Sequence, residues 1–228
     1  GRDYICENYD IPKEKILLYN NVINVPDVAK LERVWRDRLG IGTADVLISM
    51  IANITRYKDH RTLLSAWRIV RDYFETKQRK LILVCAGRLQ ENVLELKSLG
   101  FDLGIGKSVK FPGAVQNVNE LVNESDLVVH SSNVEGCPNS VCEAMALGKA
   151  VVATDIPGDR EALTATYEQY CLSRPNDPED LAEKIIFLIE NPSLREEVGR
   201  YNKRRIAEHY NEEQLLDVIC PSFVQALQ

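Results

Sequence analysis

Short apolar runs rich in β-branched residues recur along the chain, separated by amphipathic segments, and this alternation limits the fold more than any other feature. The runs are "KILLYN" (15–20), "VLISMIA" (46–52), "KLILVCAG" (80–87), "VKFPG" (109–113), "DLVVHSS" (126–132), "AVVATD" (150–155) and "YCLS" (170–173). Most are near-continuous rather than alternating, the pattern of strands buried on both faces. Between them, Thr62 to Phe74 sets Leu63, Leu64, Trp67, Val70 and Phe74 at helical spacing, and Asn92 to Leu99 reads as a second helix. Strands alternating with helices predict an α/β fold, a doubly wound, Rossmann-like parallel sheet covered on both faces. Beyond Pro178 the pattern turns wholly helical, which adds C-terminal helices to that sheet.

With 228 residues, 45% of them hydrophobic, the chain can bury a substantial core without disulfides or metal. No Pro/Gly/Ser linker or repeat divides it, so residues 1–228 are read as one domain. A formal charge of −6, with both signs mixed along the chain, offers no basic face and excludes nucleic acid as the expected partner. The six cysteines form no C-x-x-C pair and fall mostly in apolar runs, as reduced core thiols of a cytoplasmic protein do. No run reaches the roughly 18 to 20 apolar residues of a membrane span, and no secretory h-region opens the chain. The first residue is Gly1 rather than Met, and the chain is expected to be part of a longer protein.

In an open parallel sheet, ligands bind where loops leave the carboxyl ends of the strands. After "VLISMIA" come Asn53, Arg56 and Lys58, then Asp59, placed to cap the next helix. Lys58, with Arg56 or Asn53, either meets a phosphate or forms a solvated basic turn. After "VKFPG" comes the loop Gly113, Ala114, Val115, Gln116; its glycine either admits a planar base close to the backbone or only makes a turn. Neither a G-x-G-x-x-G fingerprint nor a P-loop is present.

The stretch "SNVEGCPNSVCEAMALGKAVVATD" (132–155) sets Glu135 and Glu143 with seven residues between them. Ser140 and Glu143 fit a capping box, with Gly148 closing the helix. That account leaves Glu135 unexplained. The other reading gives Gly136, Cys137, Asn139 and Ser140 backbone N–H groups that face an anion, while Glu135 and Glu143 accept from hydroxyls, a site suited to a phosphorylated polyol. His60, His130 and His209 have neither metal-ligand nor triad spacing and are read as structural or surface residues; no metal is expected.

Taken together, "EGCPNSVCEAMALGKAVVATDIPGDREAL", "ANITRYKDHRTLLSAW", "LVCAGR", "VKFPGAVQNV" and "ESDLVVHSS" resemble the C-terminal half of glycosyltransferase family four, the group 1 retaining GT-B enzymes. The resemblance runs from about Lys15 to the end. It implies the donor-binding half of a metal-independent transferase that moves a sugar from a nucleotide diphosphate, uridine favoured, to a glycan or lipid-linked acceptor. By that resemblance Glu135 holds the donor sugar, Glu143 the ribose, Lys58 the diphosphate, Gly136 to Val141 the sugar and β-phosphate, and Gly113 to Gln116 the base. Glu135 and Lys58 are the catalytic candidates, and no cofactor is implied. Asn53 stands where the family commonly has an arginine; either Arg56 nearby supplies that charge or the donor phosphate is held less tightly. The family's N-terminal acceptor domain lies outside this chain, and peripheral membrane association, if any, runs through it. The alternative is a non-catalytic nucleotide-sugar-binding module on the same fold.

Overall fold

The computed structural model describes residues 6, 8–91, 93–163 and 165–226, the side chains of residues 165 and 222–226 excepted. Six parallel strands, β1 (Val46–Ile51), β2 (Leu81–Ala86), β3 (Val109–Gly113), β4 (Leu127–His130), β5 (Val151–Thr154) and β6 (Leu172–Ser173), pair in the order β3-β2-β1-β4-β5-β6. In register, Val46 faces Leu81 on one side of β1 and Ile48 faces Leu127 on the other. The strand order reverses between β1 and β4, which puts the crevice expected of such a sheet between their carboxyl ends.

Around the sheet lie α1 (Trp35–Leu39), α2 (His60–Glu75), α3 (Val93–Asp102), α4 (Val118–Glu124), α5 (Asn139–Ala146), α6 (Pro157–Leu163) and α7 (Glu168–Cys171). The C-terminal helices are α8 (Pro178–Glu190), α9 (Pro192–His209) and α10 (Glu212–Ala226). The period of two along the strands divides the core. Ile48, Met50, Leu83 and Cys85 pack with Leu63, Trp67 and Ile185 on one face, while Leu47, Ile82 and Val84 pack with Trp35 and Leu121 on the other. The stripe predicted for α2 is the observed one, with Leu63, Leu64, Trp67, Val70 and Phe74 fully buried. Asp59 caps that helix as expected, its carboxylate accepting from Thr62 N at 3.1 Å. Asp177 caps α8 in the same way, ahead of Pro178 in the first turn.

Two predicted strands differ. Residues 16–20 of "KILLYN" form no strand; Leu17, Leu18 and Tyr19 are exposed, and the segment crosses the surface until Ile23 N donates to Tyr210 O at 2.9 Å. Without a neighbouring strand to bury both its faces, its apolar content has no sheet to join. In "YCLS" only Leu172 and Ser173 pair with β5, because Tyr170 and Cys171 complete α7.

Candidate functional site

The loop after β1 and the loop after β4 are laced together at the reversal point. Asp59 N donates to Ser131 O at 3.1 Å and Ser131 Oγ to Asp59 O at 2.7 Å, while Ser132 Oγ and Asn133 N both donate to Tyr57 O. This stitching delivers the Lys58 ammonium onto the Glu135 carboxylate, with which it forms an ion pair. The pair borders a crevice of about 310 Å³ lined by Ala52, Asn53, Gly87, Asn139 and Ser140.

Beneath the pair lies His130, the last residue of β4. Its Nε2 is 3.3 Å from both Glu135 Oε1 and Lys58 Nζ, and its Nδ1 is 3.2 Å from Asp159 Oδ1. His130 and Asp159 are buried. Burial alone would raise the Glu135 carboxyl, but hydrogen bonds from His130, Lys58 and Ser132 hold it down at about 2. Burial likewise pushes the His130 imidazolium down, and hydrogen bonds to Asp159 and Glu135 prevail and raise it above its ordinary value. For Asp159, burial prevails over His130 and pushes the carboxyl up. A Cβ on Gly158 would lie 2.7 Å from Glu135 O and 2.8 Å from Gly136 O, so a glycine there lets α6 close on the loop and brings Asp159 under His130.

The helix after this loop starts earlier than a capping box requires. Pro138 is its N-cap, no side chain caps it, and Ser140 already sits in its first turn, so the box predicted for Ser140 and Glu143 does not form. Glu143 instead lines a hollow of about 480 Å³ with Asn21, Asn24, Val118, Asn119 and Asn139, where burial raises its carboxyl. Asn139 borders both hollows, so Glu135, in the loop before α5, and Glu143, on that helix, stand on adjoining spaces. The amides of Asn139 and Ser140 precede any intrahelical acceptor. Val141 is different: it is buried, and its amide donates to Pro138 O at 3.0 Å. Cys137 is half-buried beside Gly136, and a hydrogen bond from Cys142, outweighing burial, lowers its thiol to about 6.

Other sequence candidates sit farther apart. Asn53 lines the crevice, with its Oδ1 engaged in accepting from Arg88 N at 2.9 Å. Arg56 donates to Tyr57 OH at 2.9 Å and rests 5.0 Å from the Tyr57 ring centre, bordering a small hollow that it shares with Lys58, His60 and Glu95. Gly113 ends β3 at φ 82°, and its carbonyl accepts from Gly87 N at 3.0 Å. Next to Ala114, Val115 and Gln116 line a further hollow with Trp35 and Arg38. His130 and Asp159 are the site residues that sequence reasoning missed. The one available signal was position: each falls where a β-strand ends or a helix begins on the carboxyl edge. Among the described residues no cluster of His, Cys, Asp and Glu has a metal-holding arrangement, and no helix is long and apolar enough to cross a membrane.

A six-stranded parallel sheet with a lysine, two carboxylates and a helix start at its reversal point defines a Rossmann-like α/β protein whose polar crevice lies where such sheets bind their ligands. Residues 32–205 match the family described as glycosyl transferases group 1, and the chain belongs to that family. Among curated relatives, an uncharacterized glycosyltransferase of Methanocaldococcus jannaschii is 26% identical over 215 residues, 92% of this chain and 52% of that protein. The Campylobacter jejuni N,N'-diacetylbacillosaminyl-diphospho-undecaprenol alpha-1,3-N-acetylgalactosaminyltransferase is 31% identical over 189 residues, 79% of this chain and 47% of that protein. The chain thus spans about half the length of these relatives. In fold it is similar to a glycosyltransferase from Rickettsia africae (TM-score 0.85, 21% identity, covering 99% of this chain and 61% of that one). It is also similar to Anabaena HepE, solved in complex with UDP and glucose (TM-score 0.74, 22% identity, covering 85% and 52%).

Proposed function

We propose that this chain is the donor-binding half of a retaining, metal-independent glycosyltransferase that transfers a sugar from a uridine diphosphate donor to a glycan or lipid-linked acceptor. The observation that carries this reading is the Lys58–Glu135 pair at the strand-order reversal, with Glu143 on the adjoining hollow. Lys58 meets the diphosphate, aided by the first-turn amides of Asn139 and Ser140, and this cationic, dipolar end replaces a metal as the stabiliser of the departing phosphate. Glu135, ionised at neutral pH, accepts from hydroxyls of the donor sugar, and Glu143 accepts from the ribose. The loop from Gly113 to Gln116 receives the base through main-chain groups. Uridine is favoured because relatives of this fold, HepE and Staphylococcus aureus TarM, are solved with UDP. The acceptor half is the length that the relatives have and this chain does not. Any peripheral membrane association belongs to that half.

Calorimetric titration with UDP tests the reading. The wild-type chain should bind one UDP, and Lys58→Ala should weaken it roughly ten- to hundredfold, the range of one charge-assisted hydrogen bond. In the full-length enzyme the same change should cost on the order of 2 to 4 kcal/mol of transition-state stabilisation, as loss of a preorganised electrostatic contact does. Equal UDP affinity in wild type and variant would sink the assignment of Lys58.

A further inference from the structure

The donor reading leaves a charge to be accounted for. Lys58 is to meet a diphosphate, yet its ammonium is already paired with Glu135. A cation that must release one anion to hold another does so at lower cost when a second cation takes over the first. Asn53 carries no charge and is tied to Arg88, and the Arg56 guanidinium lies on the Tyr57 ring. His130 is in place. Nδ1 faces Asp159 Oδ1 at 3.2 Å and Oδ2 at 3.3 Å, and Nε2 faces Glu135 Oε1 at 3.3 Å. A neutral imidazole protonated at Nδ1 donates to Asp159 and accepts from the Lys58 ammonium, which also lies 3.3 Å from Nε2; the imidazolium donates to both carboxylates and no longer holds the ammonium.

We propose that His130, held by Asp159, is the second cation of the donor site, a positioning residue that takes over the charge of Glu135 and releases the Lys58 ammonium to the donor's diphosphate. This rests on the donor-site reading. The charged and titratable groups facing the imidazole are Lys58 and His60 from the β1–α2 connection and the start of α2, Glu135 from the loop after β4, and Asp159 from α6. With His130 neutral, Lys58, Glu135 and Asp159 sum to one negative charge; with His130 protonated the cluster balances. An arriving diphosphate therefore favours the protonated ring, and binding draws in a proton once the pH exceeds the range in which His130 is already charged. His60 does not compete for that proton, because burial lowers it despite the Nδ1 contact with Lys58 O at 2.9 Å.

UDP and uridine titrated into the wild-type chain and His130→Gln, from neutral to alkaline pH, test this. Wild-type UDP affinity should fall about tenfold per pH unit once His130 deprotonates, the slope of one linked proton. His130→Gln should bind UDP more weakly at neutral pH with a flat profile, and uridine equally well in both proteins. A UDP profile unchanged in His130→Gln overturns the role of His130 while leaving the donor site standing; failure of the wild type to bind UDP overturns the donor-site reading itself. Proton NMR of the imidazole gives an independent reading should His130→Gln not fold. The His130 midpoint should lie above an ordinary histidine in wild type and drop in Asp159→Asn, and a midpoint below the ordinary range in wild type overturns the proposal.

Discussion

Glu135 shows how one side chain takes its character from where the backbone delivers it. Its ordinary carboxyl value is 4.5, and the hydrogen bonds from His130, Lys58 and Ser132, opposing burial, bring it to about 2. A carboxyl lowered in the fold binds fewer protons folded than unfolded between those two values. Its stabilising contribution is therefore full above about pH 4.5 and is lost as the pH falls toward about 2. Urea midpoints of wild type and Glu135→Gln should differ most near neutrality and converge across that acid window. A gap that stays constant with pH would mean that Glu135 is not held ionised by its neighbours. The same ionisation matters at neutral pH, where an acceptor-only carboxylate is what a sugar hydroxyl needs.

At the scale of elements, α2 begins where Lys58 ends, so the cap and the site share a backbone. The Asp59 carboxylate accepts from Thr62 N, while the Asp59 amide and carbonyl are tied to Ser131. Asp59→Ala should lower stability by about 1 kcal/mol, the usual worth of an N-cap, and Asp59→Asn should restore most of it. Because the backbone ties to Ser131 persist, UDP affinity should fall far less than in Lys58→Ala; denaturant unfolding together with calorimetry separates the two effects. A fall in affinity as large as that of Lys58→Ala would show that the cap, and not the loop stitching, positions the lysine. This cap was legible in the sequence, as were the two-faced strands and the apolar stripe of α2, because each depends on residues within a turn or two of one another. "KILLYN" misled because apolar content reports a strand only where a neighbouring strand exists. The capping box at Ser140 misled because Pro138 starts the helix earlier and leaves Ser140 inside it. His130 and Asp159 were illegible for another reason: their contact spans 29 residues and depends on α6 closing over Gly158 against the loop. No local pattern encodes such a pairing.

For the whole molecule, the sheet that builds the proposed donor crevice also limits what this chain does alone. Both faces of the sheet are covered by buried apolar clusters, so in the proposed reading the chain has what it needs to fold and to hold the donor. The carboxyl edge that carries Lys58 and Glu135 opens outward, and the segment bearing exposed Leu17, Leu18 and Tyr19 runs beside Gly136 and Cys137 on the same side. Transfer to a hydroxyl acceptor requires the donor's anomeric carbon to be shielded from water and the acceptor to be held within attack distance. In the proposed reading neither service comes from this chain, which spans about half of its relatives. The isolated chain should therefore bind UDP and a UDP-sugar stoichiometrically while releasing sugar no faster than buffer does. Supplying the remaining half, as one continuous polypeptide, should bring transfer with the anomeric configuration of the donor retained, read by NMR of the product. Transfer by the isolated chain would place the acceptor site within these residues and overturn the division of labour. Transfer with inversion by the continuous polypeptide would leave the donor site intact and overturn the retaining mechanism.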